Sequence, residues 1–168
     1  MEKALQKEDL IQIVIFDLAS EKYGVKISDV YEIIRMLDIT RVPRAEDFVE
    51  GVINLRGKII PVIDLRKRFG FPVQTDKKQN RIIVVKVDDH TVGLIVDDVS
   101  EVLQVPASSI EEVSGIVFSQ IDTEFLSGIA KIENKLVIML NLSKVLSKKE
   151  KKSLKDAESE MLMLGGGK

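Results

Sequence analysis

The chain repeats itself, and the repeat constrains its architecture more than any composition figure. Gly24 to Ile33 aligns with Gly93 to Val102 at an offset of 69, sharing Gly, Asp, Val and Glu at matched places. The same offset lays Ile13 to Leu18 on Ile82 to Val87. Further on, Gly51-Val52-Ile53 and Ile59 to Leu65 match Gly128-Ile129-Ala130 and Leu136 to Leu142 at an offset of 77, so eight residues are inserted between the blocks of the second copy. Matched Gly, Asp and Glu in ordered blocks are more than two β-rich stretches share by chance. Each copy holds four or five strands in about seventy residues, the size of a small barrel. Such a unit buries only about 60% of the surface its unfolded chain exposes and is marginal alone, so the two copies are expected to pack on each other. The expected division is a first barrel over 10–75, a second over 76–146 and a carboxyl-terminal segment over 147–168, with the first strand free to cross between barrels.

Local patterning agrees with a mainly β chain. Short runs rich in Ile and Val suit a pleated surface and predict strands at Ile11 to Leu18, Tyr23 to Ile27, Val49 to Leu55, Lys58 to Leu65, Ile82 to Val87, Thr91 to Val96, Gly128 to Ile132 and Lys135 to Leu142. Ile82 to Val85 is apolar on both faces, which places it centrally, covered from two sides. Turns are expected at Glu21-Lys22, Arg56-Gly57, Asp88-Asp89-His90 and Glu133-Asn134, with Gly57 or Asn134 supplying a positive φ. Short helical connectors fit Pro43 to Phe48, Leu65 to Phe69, Pro106 to Ile110 and Asp122 to Leu126. Ser147 to Glu150 reads as a capping box opening a helix over Lys148 to Met163, ended by Gly165-Gly166-Gly167.

Composition removes most chemistry. With no Cys and one His, thiolate nucleophiles, disulfides and Cys or His-pair metal sites are excluded. His90 reads as an exposed turn residue, and no Gly-x-Ser-x-Gly element accompanies it. The adjacent acids Asp88-Asp89, Asp97-Asp98 and Glu111-Glu112 lack the spacing of a calcium loop. No catalytic constellation and no cofactor is expected. A net charge of −2 and only eight aromatics, six Phe and two Tyr, oppose nucleic-acid binding. The rival reading, a tandem SH3-like barrel that binds RNA or another protein, rests on fold analogy and on the lysines at 148, 149, 151 and 152. No apolar run approaches the roughly 20 residues of a membrane span, and the charged first residues carry no secretory signal, so a cytoplasmic protein without membrane insertion is expected.

One stretch has no counterpart in the other copy. Asn54-Leu55-Arg56-Gly57 precedes the run Ile59 to Leu65, whereas the second copy has Ile132-Glu133-Asn134-Lys135 at that hairpin. A residue needed only to close a barrel is expected in both copies, so Arg56 is either a solvated turn residue or has a task besides folding. Together with Tyr23-Gly24-Val25 and Val30-Tyr31-Glu32-Ile33, this stretch resembles CheW, the coupling protein family of bacterial chemotaxis, from about Ile11 to Leu146. The resemblance implies two five-stranded SH3-like barrels and a non-enzymatic adaptor linking methyl-accepting chemoreceptors to the regulatory domain of the histidine kinase CheA. It implies receptor-facing positions at Ile27, Val30, Glu32, Arg56, Val99 and Val102. Kinase-facing positions fall at Gly51, Asn54, Leu55, Glu111 and Ile116; the family often has a basic residue where Glu111 stands. On the residues themselves, Ile27, Val30 and Val99 form an apolar strip that is either core or groove lining, and Glu32 either fixes a partner's register or pairs with Arg56.

Overall fold

The computed structural model describes residues 9–43, 45–72, 77–112 and 123–146. The helix expected over Lys148 to Met163 and the site residue Ile116 lie outside these residues. Among the described residues, eleven strands form two sheets, with short helices at the corners. The strands are β1 (Leu10–Leu18), β2 (Glu21–Lys26), β3 (Val30–Arg35), β4 (Val49–Leu55), β5 (Lys58–Asp64), β6 (Arg81–Val87), β7 (His90–Val96), β8 (Asp98–Pro106), β9 (Ile110–Glu111), β10 (Leu126–Ile132) and β11 (Lys135–Leu140). One sheet runs β8-β1-β2-β11-β10-β9 and the other β3-β6-β7-β5-β4, each an SH3-like barrel in outline.

The repeat is thus real in three dimensions, and its copies are interlocked. In repeat terms, β1 to β5 correspond to β6, β7, β8, β10 and β11. Each sheet combines the first two strands of one copy with the last three of the other. The junctions match: β1 pairs with β8 as β6 pairs with β3, and the parallel pairs β2·β11 and β7·β5 carry Gly24 opposite Met139 and Gly93 opposite Val62. Not only the first strand but the whole first hairpin crosses over. A cut between 75 and 76 separates the copies and divides both sheets, so the sequence-based boundary does not follow the folded units.

Strand alternation explains why the interlocking holds. Successive side chains point to opposite faces, so a strand that is apolar at every position serves two cores. Ile13 and Ile15 of β1 fill one barrel with Val105, Ala130, Val137 and Met139. Their counterparts Ile82 and Val84 fill the other with Ile53, Ile60, Val62 and Ile95. The alternate residues Val14, Phe16 and Leu18, and in β6 Ile83, Val85 and Val87, meet in a third and largest core between the sheets. At about 1.5–3 kcal/mol for each fully buried large aliphatic side chain, this shared core is the main cohesion between the barrels.

Several local expectations change. Val30–Arg35 and Asp98–Pro106, not predicted as strands, are β3 and β8; both are edge strands of mixed polarity, without the unbroken Ile/Val run that identified the others. Pro43 to Phe48 contains no helix among its described residues. Val42 and Ala45 pack there on Val52 and Ile59, covering the outer face of the β4–β5 hairpin. The first hairpin turns at Ala19-Ser20 rather than Glu21-Lys22, with φ of 52° and 72°. At the last hairpin the positive φ falls on Glu133, at 53°, and not on Asn134. The strand predicted to end at Ile27 stops at Lys26, where a 3-10 turn over Ile27–Asp29 begins. Leu65–Arg68 is a short helix, α1, whose Asp64 N-cap accepts from the amides of Arg66 and Lys67. Its counterpart α2 spans Leu142–Val145. Single 3-10 turns occupy Ala107–Ser109 and Thr123–Phe125, within the other two predicted connectors.

Candidate functional site

The Asn54 to Gly57 turn is built to present one side chain. Leu55 opposes Lys58, so Arg56 and Gly57 form the whole connection, with φ of 54° and 86°. Two successive positive φ values match the right-handed twist of the flanking strands. The Asn54 Oδ1 accepts from the Gly57 amide at 2.8 Å and holds the turn. Leu55 packs against the barrel interior beneath it. Arg56 therefore projects from a rigid support, and its side chain is 69% exposed.

Its partner comes from the far edge of the same sheet. Val30 opposes Val85 and Glu32 opposes Val84, leaving Tyr31 as an extra residue in a β-bulge that re-aims the rest of β3. Glu32 then meets Arg56, whose Nη2 donates to Glu32 Oε2. The ion pair bridges β3 and the β4–β5 turn and closes the barrel. A counterpart exists in the other copy: Glu101 of β8 meets Lys135 of the β10–β11 hairpin at 3.3 Å. Ser100 is likewise the extra residue of the matching bulge, since Ile15 opposes Glu101 and Phe16 opposes Val99. Barrel closure by an acid and a base is thus common to both copies. The absence of Leu-Arg-Gly from the second copy does not by itself assign Arg56 a task besides folding. Exposed pairs of this kind are worth about 0–1 kcal/mol, so neither pair is a large source of stability.

The apolar strip divides between the two readings. Val30 and Val99 are partly buried and lean on the core between the sheets. Ile27 and Val102 are exposed at 36% and 44%. Sequence reasoning missed Tyr31 and Ile33, which alternate outward along β3 and are also exposed; the signal was there as a two-residue period. Around the Glu32–Arg56 pair, the edge strand therefore presents an apolar and partly aromatic surface.

The expected kinase-facing residues do not form one cluster. Gly51 sits in a bulge at φ 145°, and a methyl on it would lie 2.1 Å from the Thr40 carbonyl oxygen. Its counterpart Gly128 meets the Glu111 carbonyl oxygen in the same way, at 2.8 Å. Both glycines are where a neighbouring segment crosses the strand. Glu111 lies on the other sheet, in β9, paired with Lys131 at 2.8 Å on the surface. His90 opens β7 and is only partly exposed. No group of three or more His, Cys, Asp or Glu among the described residues is arranged to hold a metal ion, and no helix among them is long and apolar enough to cross a membrane.

Two interlocked SH3-like barrels, with an ion-paired edge strand that exposes Tyr31 and Ile33, define the class of fold. The chain belongs to the CheW family: residues 12–150 match the CheW-like domain. It is 34% identical over 139 residues to the chemotaxis protein CheW of Klebsiella aerogenes, covering 83% of each chain. Against the chemotaxis protein CheW of Bacillus subtilis it is 35% identical over 142 residues, 84% of this chain and 90% of that one. The crystal structure of the scaffolding protein TtCheW from Thermoanaerobacter tengcongensis superposes with a TM-score of 0.78 at 44% identity, covering 84% of this chain and 96% of that one.

Proposed function

We propose that this chain is a coupling adaptor of a chemotaxis system, without enzymatic activity, which joins chemoreceptors to a histidine kinase in the cytoplasm beside the receptor array. The observation that carries this reading is the ion pair that Arg56, exposed on the β4–β5 turn, makes with Glu32 of the edge strand β3, next to the exposed Tyr31 and Ile33; Ile27, Val30, Val99 and Val102 are assigned to the receptor surface as part of this proposal. A receptor's helical tip fits such a surface by laying an apolar stripe against the valines and isoleucine. Glu32 and Arg56 then set register through charged hydrogen bonds, which contribute more to specificity than to raw affinity. The kinase's regulatory domain is assigned to Gly51, Asn54, Leu55, Glu111 and Ile116. Gly51, Asn54 and Leu55 would act there by shaping the β4–β5 hairpin.

The test is reconstitution with a receptor cytoplasmic fragment and the kinase. Arg56→His and Glu32→Lys are expected to leave the thermal midpoint within a few degrees while receptor-dependent kinase activation falls at least tenfold. Full activation by both folded variants would sink the receptor assignment. A receptor fragment that fails to co-purify with the parent chain would sink the adaptor reading.

A further inference from the structure

Both copies set a matched pair of cross-strand neighbours on their edge strands, and only one copy charges it. In one sheet Arg35 of β3 stands directly opposite Arg81 of β6. In the other, the offset of 69 puts Gln104 of β8 opposite Gln12 of β1. The glutamine pair shows that the fold needs no charge at this place. Like charges directly opposite each other on a sheet are destabilising. Nothing within the chain compensates them. Arg35 makes no hydrogen bond or ion pair among the described residues, and the Arg81 side chain donates only to the Asn80 carbonyl, from Nη1 at 2.9 Å. Of the acids close in the chain, Glu32 lies on the other face of β3 and is occupied by Arg56, and Asp38 pairs with neither arginine. Asp97, which follows the Val96 opposite Arg81 in β7, is occupied by Arg66.

The surroundings of the arginine pair are apolar. Ile33 lies two residues from Arg35 on the same face, about 6.8 Å along the strand. It stands opposite Ile83 of the shared core and is itself exposed. Tyr31, Met36 and Leu37 of the same segment are exposed too. At the matched places the other copy has Ser100, Val105 and Pro106. The Ser100 hydroxyl is tied to Asp17 and Lys22, at 3.1 and 3.0 Å, and Val105 is buried. The first copy alone therefore combines exposed aromatic and aliphatic side chains with two guanidinium groups that have no acid. A carboxylate is the group that two such forks bind best, through paired charge-assisted hydrogen bonds. An α-helix rises about 6 Å over four residues, so an apolar side chain at i and a carboxylate at i+4 match the spacing of Ile33 and the arginine pair.

We propose that Arg35 and Arg81 form a carboxylate-binding subsite of the receptor surface, which takes an acidic side chain one turn from an apolar residue on the receptor's helical tip. The subsite rests on the adaptor reading and adds to it the charge that the receptor helix must carry. The test is Arg35→Gln with Arg81→Gln, which installs the residues of the other copy. Calorimetric titrations of the full chain are run against a receptor cytoplasmic fragment and, separately, against the kinase regulatory domain, at low and high salt. Receptor affinity is expected to fall about tenfold at low salt, with the difference from the parent shrinking at high salt as the charges are screened. Affinity for the kinase domain should not change, and the urea midpoint should stay at or above the parent's. Receptor binding unchanged in the variant overturns the subsite and leaves the adaptor reading standing. A loss confined to the kinase domain, a loss undiminished at high salt, or a lowered urea midpoint each overturns it as well. No receptor binding by the parent chain overturns the adaptor reading and the subsite together.

Discussion

Gly51→Ala separates a residue that touches a partner from one that lets the chain cross itself. The added methyl would lie 2.1 Å from the Thr40 carbonyl oxygen, 2.7 Å from its carbon and 2.9 Å from Ile39 Cγ2. Two of these atoms are backbone, so relief requires the Thr40 segment to move. That segment is held by reciprocal bonds of 2.8 Å, Thr40 amide to Val52 carbonyl and Val52 amide to Thr40 carbonyl. Losing both costs about 1–3 kcal/mol at 0.5–1.5 each. Holding a non-glycine residue at φ 145° adds about 1–3 kcal/mol of backbone strain. The combined loss is about 2–6 kcal/mol, to be read as a lower urea midpoint at unchanged slope. Gly128→Ala meets the Glu111 carbonyl oxygen at the longer 2.8 Å, so a smaller loss is expected. If Gly51→Ala unfolds within about 0.5 kcal/mol of the parent, the close-crossing argument fails. If it also loses kinase binding, Gly51 is a contact residue first.

Three further outcomes are expected. A double-mutant cycle on Glu32→Ala and Arg56→Ala should give a coupling of about 0–1 kcal/mol that fades at high salt, and a coupling above about 2 kcal/mol would show the pair to be a stability device. Burial, with Glu50 nearby, holds the Asp64 carboxyl above its ordinary 3.8 against the amides it accepts from. The folded state therefore keeps this proton at pH values where the unfolded chain has lost it, so its contribution to stability declines as pH rises through the window above 3.8. Asp64→Asn should flatten that part of the stability profile in urea melts, and an unchanged slope would refute the linkage. Finally, fragments 1–75 and 76–168 should each lack a cooperative melt by circular dichroism and regain one when mixed, because each sheet draws strands from both. A cooperatively folded fragment 76–168 on its own would contradict the interlocked topology.

Much of the site was legible as residue identities and little of it as geometry. Glu32 and Arg56 stand out in the sequence, and their pairing was one of two open readings. That Glu101 and Lys135 repeat the arrangement was hidden, because the base moves two places within the hairpin, from the position of Arg56 to that of Lys58. Tyr31 and Ile33 were passed over because an edge strand with one solvated face lacks the continuous apolar run of a central strand. Gly51 and Gly128 were seen as matched glycines, but the segments that cross them lie 11 and 17 residues earlier in the chain.

By itself the sequence determined a duplicated, mainly β chain whose central strands are apolar on both faces, with no cysteine and one histidine to support chemistry. Those properties are local: side-chain period, composition and spacing are written residue by residue. Which strands share a sheet was decided only in the tertiary structure. Val14 and Ile83 carry the same pattern, and nothing local states that β1 pairs with β8 of the other copy rather than with β3 of its own. Exchanging the first two strands between copies leaves every strand's alternation satisfied and places both copies around one shared core. The same assembly sets Arg66 against Asp97 at one junction and leaves Ser143, the counterpart of Arg66, at the other, so two halves of similar pattern acquire different surfaces.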